Sequence, residues 1–412
     1  MENISTTPNC KAHRELLTSR GVDFDRLVEW RKDIHKNAEG GFQEYNTQKK
    51  VIEQFQGLED GWVRVCAGTG VIVDIIGTAK ASEEGECSCI AFRADMDALL
   101  MKEETDVEYS SVTDYAHMCG HDGHMATLLA TAQFWIKNRH KIPKNKTIRL
   151  LFQPAEELAA GAQKMIKEGW LDGVDEVYGY HTAPFGDEGS VSIKANEFMA
   201  GNVIVEIYIE GVGGHGSEPA LSTDPITAAV MLHNSFQTIK SRSLMNTDVA
   251  SFNIGWIQAG STFNVIPRTA KMLGTLRYYK EEVKDKVIGR IQTLTKSICE
   301  ANGCRFNCIV TPICPPVINH EKHTKIFIDI AKEEIGENNV NLDNQIPWSA
   351  SEDFSYFLQK VPGCFIALNN VKVGEEPISL HSSKMNFNDN TMATGALLNI
   401  RLSEHRLGIK II

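Results

Sequence analysis

The sequence predicts an α/β protein of two domains, the smaller of which is inserted into the larger. The chain has 412 residues, which exceeds the size at which a single hydrophobic core usually keeps growing. Short β-like runs alternate with helical patterns from about residue 24 to 195, an order typical of an α/β layer with a largely buried sheet. The pattern changes between residues 198 and 312 and then returns to the first type.

The first α/β segment contains four predicted strands, "GVIVDIIG", "CIAFRADM", "TIRLLFQ" and "EVYGYH", and predicted helices at residues 123–137 and 161–168. Apolar residues at helical spacing support the first helix: Leu128, Leu129, Ala132, Trp135 and Ile136. Ligands of such sheets usually bind in the loops at the carboxyl ends of the strands. The loop that leads into residue 123 is therefore a candidate binding loop.

The middle segment reads as strand, helix, strand, strand, helix, strand, which is the ferredoxin-like βαββαβ order. Its second helix, at residues 281–302, has acidic residues in its first turn and Gly303 as a stop signal. A last helix is predicted at about residues 390–406. We therefore place the first part of the larger domain at residues 1–197, the inserted domain at 198–312 and the second part at 313–412.

The composition limits the class of protein. Hydrophobic residues make up 42% and charged residues 23% of the chain, the balance of an ordinary soluble globular protein. We see no secretory signal and no apolar run near the roughly 18 residues of a membrane span, so we expect a cytoplasmic protein. The ten cysteines are scattered without paired CxxC spacing, and we expect most to be reduced and buried. A net charge of -11 without a basic cluster argues against nucleic acid or a membrane surface as partner.

The stretch "HMCGHDGHM", residues 117–125, concentrates groups that bind metals or carry protons. Cys119 and His121 are two residues apart, a spacing that can aim both at one ion from a turn. A thiolate and an imidazole suit zinc, manganese, cobalt or nickel, and Asp122 could orient a ligating imidazole. A single histidine here would more often be a solvated residue of a helix-capping turn. Four groups of this kind within nine residues favour a metal site instead.

Other candidate ligands also follow predicted strands. Glu156 and Glu157 lie in "LLFQPAEELAAG" directly after an apolar strand, where carboxylates need cations or water; alternatively they form the acidic first turn of a helix that starts near residue 159. His181 in "YGYHTAP" ends another strand, and His381 in "SLHSS" lies in a distant loop. One cysteine, three histidines and one glutamate are enough ligands for two ions about 3.5 to 4 Å apart. The remaining carboxylate could then exchange protons with a metal-activated water.

Ten ordered stretches resemble the M20 family of metallohydrolases, and more narrowly its amidohydrolase branch, which contains hippurate hydrolases, auxin-conjugate hydrolases and other N-acyl amino acid hydrolases. The resemblance covers about residues 27–402. The stretches are "WRKDIHKNAEGGFQE", "FRADMDAL", "MCGHDGHM", "FQPAEE", "GYHTAP", "GVGGHGSEP", "IQAGSTFNVIP", "GTLR", "SEDFSYFLQKVPG" and "LHSSKMNFND".

The resemblance implies hydrolysis of the amide bond of N-acyl amino acids by a water activated on two divalent ions, Mn²⁺ or Zn²⁺ foremost and Ni²⁺ or Co²⁺ otherwise. It implies that Glu156 is the general acid/base. The implied metal ligands are Cys119, His121, Glu157, His181 and His381. By the same resemblance, Cys119 indicates the amidohydrolase branch, because the peptidase branches carry an aspartate as the corresponding ligand.

The resemblance also gives the inserted domain a role as a lid and dimerisation domain. In the implied homodimer, His215 in "GGHGSEP" reaches the partner's active site and stabilises the oxyanion. Asn264 and Arg277 resemble residues that hold the substrate's carboxylate and amide, although Arg277 could equally be an exposed strand residue. We expect the exposed edges of the strands "NVIVEIYIEG" and "TAKMLGTLRYY" to pair across the two-fold axis.

Two stretches depart from the family pattern: "KNAEGG" replaces the usual histidine-proline-glutamate, and "LAAG" replaces a glycine run. Both border the substrate pocket and leave the acyl-group preference open. Three alternatives remain: an aminopeptidase or dipeptidase on the same scaffold, an enzyme that uses Cys119 as a covalent nucleophile, and a catalytically inactive metal-binding scaffold.

Overall fold

The computed structural model describes residues 8–342 and 348–412, which form two compact units. The larger unit ends at Phe198 and resumes at Ile318 and again at Asp353. The smaller unit spans Met199–Val317 and takes in residues 348–352. Its last strand continues to Cys314, past residue 312, where the sequence analysis placed the boundary.

The described residues contain the following strands: β1 (Val63–Cys66), β2 (Gly70–Ile76), β3 (Cys89–Asp95), β4 (Leu99–Leu100), β5 (Tyr115–Ala116), β6 (Thr147–Gln153), β7 (Glu176–Asp187), β8 (Val191–Ser192), β9 (Asn196–Met199), β10 (Gly201–Glu210), β11 (Gly214–His215), β12 (Ala250–Ala259), β13 (Val265–Ile266), β14 (Thr269–Tyr278), β15 (Arg305–Cys314), β16 (Val317–Asn319), β17 (Val340–Asn341) and β18 (Gly363–Val371).

The α-helices of the same residues are α1 (Cys10–Ser19), α2 (Phe24–Lys36), α3 (Tyr45–Glu53), α4 (His121–Asn138), α5 (Gly161–Lys167), α6 (Pro225–Ser243), α7 (Glu281–Ala301), α8 (Glu321–Ile335), α9 (Phe354–Leu358) and α10 (Thr391–Leu407). Three short 3₁₀ turns lie at Arg139–Lys141, Pro219–Leu221 and Glu337–Asn339. No helix of the described residues combines the length and the apolar character required to cross a membrane.

A mixed sheet of eight strands, in the order β1-β2-β6-β3-β7-β18-β8-β17, forms the centre of the larger unit. Its middle strands β6, β3, β7 and β18 are parallel, and β3 is buried at every position, as expected for a parallel sheet covered on both faces. Because these strands run in one direction, the residues that follow β3 and β6 and the later part of β7 lie at one edge of the sheet. Asp95, Gln153 and His181 mark that edge.

Helix α4 starts two residues earlier than predicted, at His121 instead of residue 123. The cause is Gly120, which adopts a left-handed conformation with φ of 83° and ends the preceding loop. A Cβ atom at Gly120 would also lie 2.7 Å from Thr182 Cγ2, so the close approach requires glycine. As a result His121 lies in the first turn of a helix, and Cys119 remains in the loop before it.

The smaller unit contains an antiparallel sheet of four strands in the order β12-β14-β10-β15. Helices α6 and α7 complete the order strand, helix, strand, strand, helix, strand. Inward residues alternate along β10, where Val203, Val205, Ile207 and Ile209 are buried, the period of two expected for a sheet covered on one face. α7 runs from Glu281 to Ala301, one residue shorter than predicted.

One prediction about this sheet is wrong. "NVIVEIYIEG" and "TAKMLGTLRYY" form β10 and β14, which are the two central strands, so neither has an exposed edge. The edge strands are β12 and β15. The reason is topological: α6 leads from central strand β10 to edge strand β12, and α7 leads from central strand β14 to edge strand β15. The hydrophobicity of a strand does not by itself reveal this order.

Candidate metal centre

The structure brings the five predicted ligands into one cluster in the larger unit. The Sγ atom of Cys119 lies 3.3 Å from Nε2 of His181 and 3.2 Å from Nε2 of His381. Oε1 of Glu157 lies 3.4 Å from Nε2 of His381 and 4.0 Å from Nε2 of His121. Residues separated by up to 262 positions in the chain thus meet at the edge where the parallel strands end.

Two groups of candidate ligands in the cluster share one residue. Cys119, Glu157 and His381 form one group, and His121, Glu156 and Glu157 form a second, each with candidate ligand atoms within 4.8 Å of one another. Glu157 belongs to both groups, as a carboxylate that bridges two ions would. In the described part of the chain, His121 Nε2 and Glu157 Oε1 are buried without a hydrogen-bond partner. Such orphaned polar atoms fit a bound cation.

The charges around Cys119 support the same interpretation. Burial and the carboxylates of Glu157 and Glu156 raise the pKa of the Cys119 thiol well above its usual value. Only the thiolate is a metal ligand, so a positive charge has to offset these carboxylates. Burial also lowers the pKa of His181, which keeps that imidazole neutral and able to bind a metal. The donor set is therefore matched to cations.

Asp97 orients both a ligand and the glutamate pair. Its backbone carbonyl accepts a hydrogen bond of 2.8 Å from Nδ1 of His121, which leaves Nε2 for the cluster. Its two carboxylate oxygens accept hydrogen bonds of 3.0 Å each from the backbone amides of Glu156 and Glu157. Although burial opposes it, the carboxylates of Asp95 and Asp97 raise the pKa of His121 to about 10. Asp97 was not among the site residues predicted from the sequence, although its position two residues after β3 was a usable signal.

The prediction that Asp122 orients a ligating imidazole is wrong. Its Oδ2 atom accepts hydrogen bonds from Arg31 Nη1 at 2.8 Å and from His35 Nδ1 at 2.9 Å. Successive side chains on a helix point about 100° apart. In the first turn of α4 the side chain of His121 therefore faces the cluster, and the side chain of Asp122 points away from it. Burial opposes charge at His35, but Asp122 and Glu103 raise its pKa to about 9.

A second buried carboxylate holds the turn that carries the glutamates. Glu44 Oε1 accepts a hydrogen bond of 2.8 Å from the backbone amide of Ala155, and Glu44 Oε2 accepts one from the Thr69 hydroxyl. Ala155 and Ala159 both have positive φ, 51° and 50°, a conformation that an alanine adopts only when its surroundings impose it. This role of Glu44 was not predicted from the sequence, because Glu44 lies more than a hundred residues from the turn.

The alternative that Glu156 and Glu157 open a helix near residue 159 is also wrong, because α5 begins at Gly161. The glutamates instead occupy the turn between β6 and α5.

A histidine behind the cluster fixes the orientation of His181. The backbone amide of Thr182 donates a 2.9 Å hydrogen bond to His124 Nε2, so Nδ1 of His124 carries the proton that bonds Asp95 at 2.6 Å. Nδ1 of His181 in turn donates to the Thr182 carbonyl at 2.7 Å. The Nε2 atom of His181 is thereby left as the acceptor that faces Cys119.

Comparison with known proteins decides the family. Residues 91–405 match the family described as Peptidase family M20/M25/M40. The chain is 34% identical over 345 residues to an N-acetylcysteine deacetylase of Bacillus subtilis, covering 83% of this chain and 87% of that protein. It is 33% identical over 385 residues to the hippurate hydrolase of Campylobacter jejuni, covering 93% of this chain and 96% of that protein.

The chain belongs to peptidase family M20/M25/M40. A family structure from Bacillus subtilis, described as a dinuclear metal-binding peptidase, superimposes with a TM-score of 0.76 at 28% identity, over 92% of this chain and 97% of that one. These findings confirm the family predicted from the sequence and the prediction of a hydrolase.

Three further residues named by the resemblance to this family lie in the smaller unit. His215 in β11 is exposed, and its Nδ1 atom accepts the backbone amide of Ser217 at 3.2 Å, which leaves Nε2–H as a donor. Asn264 is also exposed and directly precedes β13, whose Val265 pairs with His215. Arg277 in β14 is half-buried and donates to Ser351 Oγ at 2.6 Å. Arg277 is thus partly engaged within its own unit.

Proposed function

We propose that the protein is a metal-dependent amidohydrolase that cleaves N-acyl amino acids into a carboxylic acid and a free amino acid. The observation that carries this proposal is the group of a thiol, imidazoles and carboxylates with Glu156 beside it, of which Cys119, His121 and His181 are buried and His381 is exposed. Two relatives named for the hydrolysis of N-acyl amino acids, at 33 to 34% identity, support the substrate class.

The proposed ligands are those of the cluster: Cys119, His121, Glu157, His181 and His381. Thiolate, imidazole and carboxylate together suit Mn²⁺ or Zn²⁺, and also Ni²⁺ or Co²⁺. Two such ions, when bound, supply a water of lowered pKa and stabilise the negative charge that develops on the amide oxygen.

Glu156 is the proposed general acid/base. Its side chain is 8% exposed and belongs to the group with His121 and Glu157, while Asp97 holds its backbone amide. Glu156 takes a proton from the attacking water and delivers it to the departing nitrogen, since an amine leaves only after it is protonated.

The Nε2–H of His215 is available to donate to the oxyanion, and Asn264 and Arg277 would hold the substrate's carboxylate and amide.

The smaller unit is proposed to be a ferredoxin-like lid and dimerisation domain, with hinges near residues 196–200 and 311–315. Its edge strand β12 supports this role, because Trp256 and Ile257 there are 41% and 45% exposed and an unpaired apolar edge is a liability in a monomer. Pairing of β12 across a two-fold axis would give a homodimer.

We also propose a cytoplasmic location, because none of the ten cysteines is in a disulfide.

Metal content and turnover test the proposal together. Full-length protein treated with a chelator and dialysed should lose hydrolysis of an N-acyl amino acid, and added Mn²⁺ or Zn²⁺ should restore it. Full turnover by protein shown to be metal-free by elemental analysis would contradict the proposal and favour Cys119 as a nucleophile. Metal binding without turnover of any amide would identify an inactive scaffold.

The second candidate is an aminopeptidase or dipeptidase, which is favoured by the peptidase described among the structural relatives. Such an enzyme has to recognise a free α-amine. Comparison of a dipeptide with its N-acetylated form therefore separates the two functions, because the proposed amidohydrolase hydrolyses the N-acylated compound faster.

A further inference from the structure

The turn that carries the two glutamates also presents an exposed leucine. Leu158 directly follows Glu157, and its side chain is 58% exposed. Gly41 makes room for it: a Cβ atom at Gly41 would lie 2.9 Å from Leu158 Cδ1 and 3.1 Å from the Cα of Ala155. Leu158 is therefore packed against a backbone surface that only glycine allows, while the rest of its side chain faces solvent.

The neighbouring glycine has the same relation to an aromatic ring. A Cβ atom at Gly40 would lie 2.2 Å from Cε1 of Tyr115, so the ring lies directly on the backbone of residue 40. Tyr115 pairs across β4 and β5 with Leu100, which is 74% exposed. Leu158 packs on Gly41, and Tyr115 packs on the adjacent Gly40 and pairs with Leu100. We name these three apolar side chains the apolar rim.

The backbone that carries the apolar rim adjoins the proposed catalytic residues. Leu158 follows Glu157 in the chain, and Gly40 forms a β-bridge with Ala98, which follows Asp97. Large apolar side chains left exposed next to such a centre are typical of a ligand-binding surface.

The rim is also where the two departures from the family pattern meet. Gly40 and Gly41 belong to "KNAEGG", and Leu158 opens "LAAG". In sequence they are more than a hundred residues apart, yet the glycines accommodate the leucine. A glycine run in place of "LAAG" would supply no side chain here, so this surface is a property of this chain.

We propose that the apolar rim binds the acyl group of the substrate and that Leu158 is a specificity-determining residue for apolar acyl groups, either aromatic or medium-length aliphatic. This inference rests on the proposed function. The chain of the acyl group is bonded to the carbonyl carbon that the water attacks beside Glu157. The acyl group therefore has to lie next to the turn that carries Glu157. The polar residues proposed for the amino acid end, Asn264 and Arg277, are in the smaller unit, whereas the rim belongs to the larger one.

The test is a substrate series on metal-loaded, full-length protein. kcat/KM is measured for the N-acetyl, N-hexanoyl and N-benzoyl derivatives of one amino acid. The wild type should prefer hexanoyl or benzoyl over acetyl by at least about tenfold, and Leu158→Ala should reduce this ratio by about tenfold, since losing apolar contacts to part of a substrate has effects of this size. The series also distinguishes aliphatic from aromatic acyl groups.

Three further variants make the test specific. Gly41→Ala should reduce the ratio in the same direction, because the new Cβ displaces Leu158. Leu158→Met, which keeps the apolar volume, should retain most of the preference. Val65→Ala removes part of a 50% exposed apolar side chain on β1 and should leave the ratio unchanged.

Two results would overturn the inference while leaving the proposed function intact: an active Leu158→Ala protein with the wild-type ratio, or a preference that shifts with the side chain of the amino acid instead of the acyl group. If wild-type protein loaded with metal hydrolyses none of the N-acyl amino acids, the proposed function fails and this inference fails with it.

Discussion

The candidate metal centre lies in the larger unit, and the residues proposed to bind substrate lie in the smaller unit. The two sets of residues differ in how deeply they are buried. His121 is fully buried and Cys119 is 7% exposed, with fixed partners behind them. His215 and Asn264 are exposed. The first site is assembled by the fold of one unit, whereas the second presents groups on a surface.

The difference teaches which properties each site can have. Buried charges have to be paired, so the electrostatics of the metal centre depend on burial and on the carboxylates around it. Burial raises the pKa of Cys119, with Glu157 and Glu156 adding to the shift, and burial lowers the pKa of His181. Although burial opposes it, Asp95 and Asp97 raise the pKa of His121.

An exposed histidine needs no such pairing and keeps its freedom to contact another molecule. Substitutions of the metal ligands and of the buried residues that hold them should therefore affect metal binding, stability and pH dependence. Substitutions of Glu156, and of the exposed residues in the second region, should affect turnover alone.

The largest expected effect is at Glu156. Glu156→Gln keeps the size and the backbone contact to Asp97 but cannot carry a proton, so we expect kcat to fall by about a thousandfold. The measurement is kcat for an N-acyl amino acid, with elemental analysis to show that the metal content is unchanged. A kcat near the wild-type value would mean that another group transfers the proton.

The next effect is at His215. Loss of one oxyanion donor should lower kcat by about a hundredfold, and His215→Ala should retain the full metal content because the residue lies in the smaller unit. An equal mixture of His215→Ala and Glu156→Gln proteins should recover part of the activity, since one of the two sites in a mixed dimer would be intact. Absence of recovery, once subunit exchange is shown by mass spectrometry, would mean that His215 serves the site of its own subunit or no site at all.

A smaller effect is expected for the turn that Glu44 holds. Glu44→Ala leaves the buried amide of Ala155 without an acceptor, which costs about 1 to 3 kcal/mol, and should lower kcat by about tenfold because Glu156 moves. Glu44→Gln retains an acceptor and should recover most of kcat. Equal loss in both variants would show that the charge of Glu44, and not its hydrogen bond, is required.

The smallest effect on turnover is expected at His35, where a substitution should act on stability. Its pKa is raised to about 9 in the folded protein, above the unfolded value of about 6.5. The stabilisation is therefore complete below pH 6.5 and is lost as the pH rises through 9. His35→Gln should lower the free energy of unfolding by up to about 3 kcal/mol at pH 6 and by less at pH 9.5, as measured by urea denaturation. A constant difference between the two pH values would contradict a charged His35.

Much of this molecule could be predicted from the sequence, because the relevant signals are local. Periodic apolar residues and an acidic first turn placed α7 to within a residue, since a helix repeats every 3.6 residues wherever it lies. Metal-capable residue types in the loops between predicted elements indicated Cys119, His121, His181, His381 and one of two adjacent glutamates, because ligands of such sheets usually bind in these loops. The resemblance to the family then identified Glu157 as the ligand. The resemblance added roles that spacing alone left open.

Only the tertiary structure decided which partner each charged side chain has. Asp97 and not Asp122 supports His121, Glu44 reaches a turn more than a hundred residues away, and β12 rather than β10 or β14 lies at the edge of the smaller sheet. Sequence patterns record the preference of a residue for burial, helix or strand, whereas the direction of a side chain in a helical turn and the order of strands depend on how the elements pack. For that reason the residue types of the metal centre were predictable, but the hydrogen bonds that hold them became known from the packed structure.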